Sequence, residues 1–110
     1  MRQYVIDELS PLEWDNINSF LKRTLKPGPM TGIFWLVLPD DLYAQAQQGH
    51  KDCGPFYVAV DLDAKRLSVE LLVRSATHLH CTCIAYATPV QRQFVLDFID
   101  RMLDEEQIKA

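Results

Sequence analysis

The amino-acid sequence predicts an α+β two-layer sandwich. It would hold a mainly antiparallel sheet of about five strands, in the order β-α-β-(short α)-β-β-β-α, with both long helices on one face. Three observations carry that expectation. Two segments open with the same helix-start chemistry and then repeat apolar residues at helical spacing. Phe56–Leu62 and Leu67–Arg74 alternate in register as a hairpin. Turn residues and proline separate every element from the next.

Residues 1–110 are expected to form a single domain, long enough to bury a core without staples. Apolar residues make up 48% and charged residues 24%, ordinary for a globular chain, so composition points to no special class. The net charge of −4 argues against nucleic acid and anionic membrane as main partners, since phosphate binding needs a basic patch. Lys22, Arg23 and Lys26 fall at a helix end, where the helix dipole already favours cations. The first residues lack the long apolar core of a secretion signal, and the longest apolar run, Ile33 to Leu38, is far short of a membrane span. Three cysteines, an odd number, suit a reducing compartment. The expected location is the cytoplasm, with the thiols free.

In chain order, Gln3 to Leu9 reads as a short strand. Ser10-Pro11-Leu12-Glu13 then combines an N-cap serine, a first-turn proline and a glutamate that closes a capping box. Leu12, Trp14, Ile17, Leu21 and Leu25, with Phe20, give the helix its apolar stripe. Lys26-Pro27-Gly28-Pro29 ends it. Thr31 to Leu38 is a second strand, apolar on both faces and therefore expected to be covered on both. Pro39-Asp40-Asp41 caps a short helix over Leu42 to Gln48, and His50 to Pro55 is a loop.

In the hairpin, Leu62 is expected opposite Leu67, Val60 opposite Val69 and Val58 opposite Leu71, joining apolar inner residues throughout. After the turn Ser75-Ala76-Thr77, the run His78 to Ala87 reads as a further strand. Cys81 and Cys83 would then face the core, and His78 and His80 the outer face. Thr88-Pro89-Val90-Gln91 starts the last helix, whose stripe is Phe94, Val95, Phe98, Ile99, Met102 and Leu103. The acidic tail Asp104-Glu105-Glu106 opposes the helix dipole and is expected to fray.

Three function classes remain. The favoured one is a non-enzymatic protein-interaction module, self-associating as a homodimer or meeting another protein through the outer sheet face or an edge strand. Its surface would comprise Tyr57, Leu72, Arg74, His78, His80 and Tyr86, because the face is too apolar to be left to water. The second is a small-ligand or metal domain with a pocket between that face and residues 40–55. His50, Cys53, His78 and His80 would hold zinc; regular strand alternation keeps Cys81 and Cys83 from joining those histidines. The third is a cysteine- or histidine-dependent enzyme using Cys53, although neither Cys-x-x-Cys nor Gly-x-Ser-x-Gly occurs.

Overall fold

The computed structural model describes residues 2–109. Its sheet is antiparallel throughout and has seven strands: β1 (Gln3–Ile6), β2 (Lys26–Pro27), β3 (Ile33–Val37), β4 (Phe56–Leu62), β5 (Leu67–Glu70), β6 (Leu72–Ser75) and β7 (Ala85–Tyr86). The strands run β1-β5-β4-β3-β2 across the sheet, with β6 beside β4 and β7 beside β6. Two helices, α1 (Pro11–Thr24) and α2 (Pro89–Glu105), lie on its inner face. The α+β class expected from the sequence is the one observed. The two extra strands are the short β2 and a division of the hairpin's return strand into β5 and β6.

Both helices begin as their sequences dictate. The Ser10 and Thr88 hydroxyls accept the N–H groups of Glu13 and Gln91, whose side chains accept the cap N–H in return. α1 buries Ile17, Phe20 and Leu21, and α2 buries Val95, Phe98, Ile99 and Met102. The helices meet where the Phe20 and Phe98 rings stand 5.7 Å apart. Phe34, Leu36, Phe56, Val58, Val60, Leu62, Leu67 and Val69 close the core from the sheet. Leu12, counted in the α1 stripe from spacing alone, is 69% exposed.

The hairpin keeps its expected register at the turn, with Val60 opposite Val69 and Leu62 opposite Leu67. Beyond that it slips, because Tyr57 faces Arg74 and Phe56 faces Ser75. Between those pairs Val58 and Ala59 oppose the four residues Glu70 to Val73. An insertion of two residues preserves the alternation, so Val73 stays inward and Arg74 outward.

Three local expectations change. The expected helix over Leu42–Gln48 is a 3-10 turn at Asp40–Leu42, further turns, and a second 3-10 turn at Lys51–Cys53. The expected strand over His78–Ala87 shrinks to Ala85–Tyr86, paired with Val73 and Leu72. Residues 76–84 are therefore a loop, and the alternation argument does not apply to them. The end of α2 does not fray: Gln107 takes a φ of 54°, and the N–H groups of Gln107 and Ile108 donate to the carbonyls of Asp104 and Leu103. That is a Schellman closure, with Ile108 buried beside it. Among the described residues, no helix is long and apolar enough to cross a membrane.

Candidate metal centre

The two loops left without regular structure converge. His50, Cys53, Cys81 and Cys83 place one nitrogen and three sulfurs within 4.8 Å of one another. Each pair is brought to one side by a turn. Cys53 N–H donates to the His50 carbonyl at 3.0 Å, closing a 3-10 turn. In that geometry side chains three apart eclipse, so His50 and Cys53 look the same way. Ile84 N–H donates to the Cys81 carbonyl at 3.1 Å, closing a reverse turn over 81–84. The chain bends there instead of pleating, and the Cys81 and Cys83 sulfurs meet the His50–Cys53 turn.

The separations among the His50, Cys53 and Cys81 donors are close to those round a tetrahedral ion. Zinc–sulfur bonds of about 2.3 Å and zinc–nitrogen bonds of about 2.05 Å imply ligand separations of about 3.8 Å (S···S) and 3.6 Å (N···S). The Sγ atoms of Cys53 and Cys81 are 3.7 Å apart. His50 Nδ1 stands 3.4 Å from Cys81 Sγ and 4.0 Å from Cys53 Sγ. Cys53 and Cys83 are buried, whereas His50 and Cys81 are half-buried, so the cluster lies at the edge of the core.

The three thiols differ electrostatically. The Cys81 thiol is drawn down to about 6, first by the Cys83 backbone N–H, which donates to its sulfur at 3.5 Å, and next by the Cys83 side chain. Burial pushes Cys83 up to about 12, with the neighbouring thiols adding to the rise. Burial likewise raises Cys53. One sulfur is thus prepared as a thiolate by a backbone donor. A dication would supply the charge that ionises the other two.

The surrounding hydrogen bonds fix both loops. The Ser75 hydroxyl donates to the Cys53 carbonyl, and the Thr77 hydroxyl donates to that of Asp52 at 2.9 Å. Ala76 N–H reaches the Pro55 carbonyl at 3.0 Å. Gln47 is buried, and its Nε2 donates to the Cys83 carbonyl at 2.7 Å.

Of the zinc set expected from sequence, His50 and Cys53 come together and His78 and His80 do not. Both of the latter are exposed on the 76–84 loop, with His78 Nδ1 against the Thr77 hydroxyl at 2.8 Å. Their places are taken by Cys81 and Cys83, assigned to core packing when the segment was read as a strand. The signal for them was present as His-x-x-Cys and Cys-x-Cys; the missing information was that both segments turn.

Of the expected interaction surface, Tyr57, Arg74, Leu72 and Tyr86 do share a face, through the pairs Tyr57–Arg74 and Leu72–Tyr86. Trp35 extends it, stacked on Tyr57 at 4.1 Å and 15°. Arg74 makes a two-pronged ion pair with Glu70, at 3.0 and 3.2 Å. Residues 40–55 do not cover this face. They pack at the inner side, with Tyr43 edge-on to Phe56 and Leu42 accepting from Gln91.

No family model, curated protein or solved structure matches the chain.

Proposed function

We propose that this protein is a zinc-binding α+β domain in which His50 Nδ1 and the sulfurs of Cys53, Cys81 and Cys83 form a closed, structural tetrahedral site. The convergence of one nitrogen and three sulfurs within 4.8 Å, with the His50, Cys53 and Cys81 donors 3.4–4.0 Å from one another, carries this reading. A four-residue donor set leaves no open position, which distinguishes a structural site from a catalytic one with three protein ligands and a water. Soft thiolate donors favour zinc over magnesium or calcium. The ion would tie residues 40–55 to the 76–84 loop, two segments with little regular hydrogen bonding of their own. A reducing compartment such as the cytoplasm, which keeps the thiols available as ligands, suits such a centre.

Metal analysis of protein purified without a histidine tag tests this. About one zinc per chain is expected. Cys83→Ser and His50→Ala should each lower zinc affinity at least tenfold, while a His78→Ala, His80→Ala double variant should keep it. Wild-type protein that takes up no zinc, or full loss in the double variant, overturns the reading.

A second reading concerns the outer sheet face, favoured by the uncovered Trp35–Tyr57 stack with Val37 39% exposed beside it. We propose that this face pairs with a second copy of the chain. Its Glu70 and Arg74 charges are paired with each other within the chain, so the face can meet a copy of itself without setting like charges together. Sedimentation should show a concentration-dependent dimer that Trp35→Lys shifts to monomer. A strict monomer at high concentration would sink the idea.

A further inference from the structure

Gln47 and Gln91 are among the few buried polar side chains, and neither is a metal ligand. An amide withdrawn from water is unfavourable unless its hydrogen bonds are replaced. Here they are replaced on both residues. Gln47 Oε1 accepts the Ala44 N–H at 2.9 Å and Gln91 Nε2 at 3.1 Å. Gln91 Nε2 also donates to the Leu42 carbonyl at 3.0 Å, and its Oε1 accepts the Thr88 N–H at 3.0 Å. Gln91 is thus anchored in the first turn of α2 and holds Gln47 from behind.

Gln47 in turn touches both halves of the metal centre. Its side-chain Nε2 donates to the Cys83 carbonyl at 2.7 Å. Its backbone carbonyl accepts the His50 N–H at 3.1 Å. One residue therefore bonds to the backbone of a ligand in each turn, with its amide locked by a helix outside the site.

Resting on the zinc reading above, we propose that Gln47 is a positioning residue of the metal centre and that Gln91 braces it. The relay Thr88–Gln91–Gln47–Cys83 sets the separation between the His50–Cys53 turn and the Cys81–Cys83 turn, so that four donors stand ready within 4.8 Å of one another. Preorganisation of this kind appears in metal affinity, because the ion need not draw two loops together as it binds. Groups that orient ligands without touching the metal typically change affinity by roughly 10–100-fold.

The test is zinc affinity by competition with a chromophoric chelator, together with the absorption spectrum of the cobalt-substituted protein. Gln47→Met keeps the length and removes both the donor to Cys83 and the acceptor. Gln91→Glu keeps the acceptor for Thr88 and removes the donors to Leu42 and Gln47. Gln47→Met should weaken zinc by about 10–100-fold and shift the cobalt bands, at unchanged stoichiometry. Gln91→Glu should weaken it less and in the same direction, and it also serves if Gln47→Met fails to fold. Wild-type affinity and spectrum in the folded variants, even with a lower melting temperature, would mean that the amides only pack, and would overturn the proposal. A wild-type chain that takes up neither zinc nor cobalt overturns the metal reading itself, a result these variants could not mimic.

Discussion

Gln107 occupies a conformation that side chains resist: at φ 54° its Cβ crowds the backbone, yet the Schellman closure of α2 requires it. Glycine is the residue that ordinarily fills this position. Gln107→Gly should therefore raise stability by roughly 0.5–1 kcal/mol, or about 2–5 °C in a thermal melt, after allowing for glycine's larger unfolded-state entropy. An unchanged or lower melting temperature would show that the side chain relieves its own strain. The sequence hides this cap because the position carries glutamine, and the acidic residues before it argue for fraying. The proposed metal ligands are hidden in a similar way. His50 and Cys53 were visible as candidates, but that Cys81 and Cys83 meet them rather than pack in the core as strand residues depends on a turn closed by one hydrogen bond, from Ile84 N–H to the Cys81 carbonyl.

At the level of elements, legibility follows the range of the forces that shape each one. The starts of α1 and α2 could be read residue by residue, because a capping box is complete within four positions. The hairpin could be read near its turn, where Leu62–Leu67 and Val60–Val69 pair apolar residues at close range. Its far half could not, since two extra residues before Leu72 leave the alternation intact and so leave no mark in the pattern. The run from His78 to Tyr86 misled for the opposite reason. Its β-branched and aromatic residues alternate as a strand would, yet only Ala85 and Tyr86 pair. What overrides strand propensity there is in part tertiary, since Gln47 holds the Cys83 carbonyl, and in part local, since the Ser75 hydroxyl accepts the His78 N–H at 3.0 Å. The long-range contact of Gln47 has no sequence signature.

For the molecule as a whole, the proposed metal centre lies at the edge of the hydrophobic core. The core is built from α1, α2 and the inner sheet face, and of the four ligands only Cys53 and Cys83 belong to it. A chain of this length buries enough apolar surface to stay folded without an ion, unlike a small zinc finger. Chelation should therefore leave the far-ultraviolet dichroism nearly unchanged while lowering the melting temperature. The linkage is about 4 kcal/mol at a free zinc concentration a thousandfold above the dissociation constant. Hydrogen exchange should locate the loss: amides in 40–55 and 76–84 should exchange faster in the metal-free protein, and those of β4 and the middle of α2 should keep their protection. Global unfolding on chelation would instead make the ion part of the folding core. Unaltered exchange in both loops would mean that the hydrogen bonds from Ser75, Thr77 and Gln47 already hold them. The division follows from where the two kinds of cohesion would sit: burial holds the sheet to its helices, and under the zinc proposal four donor atoms hold together two segments with little regular structure of their own.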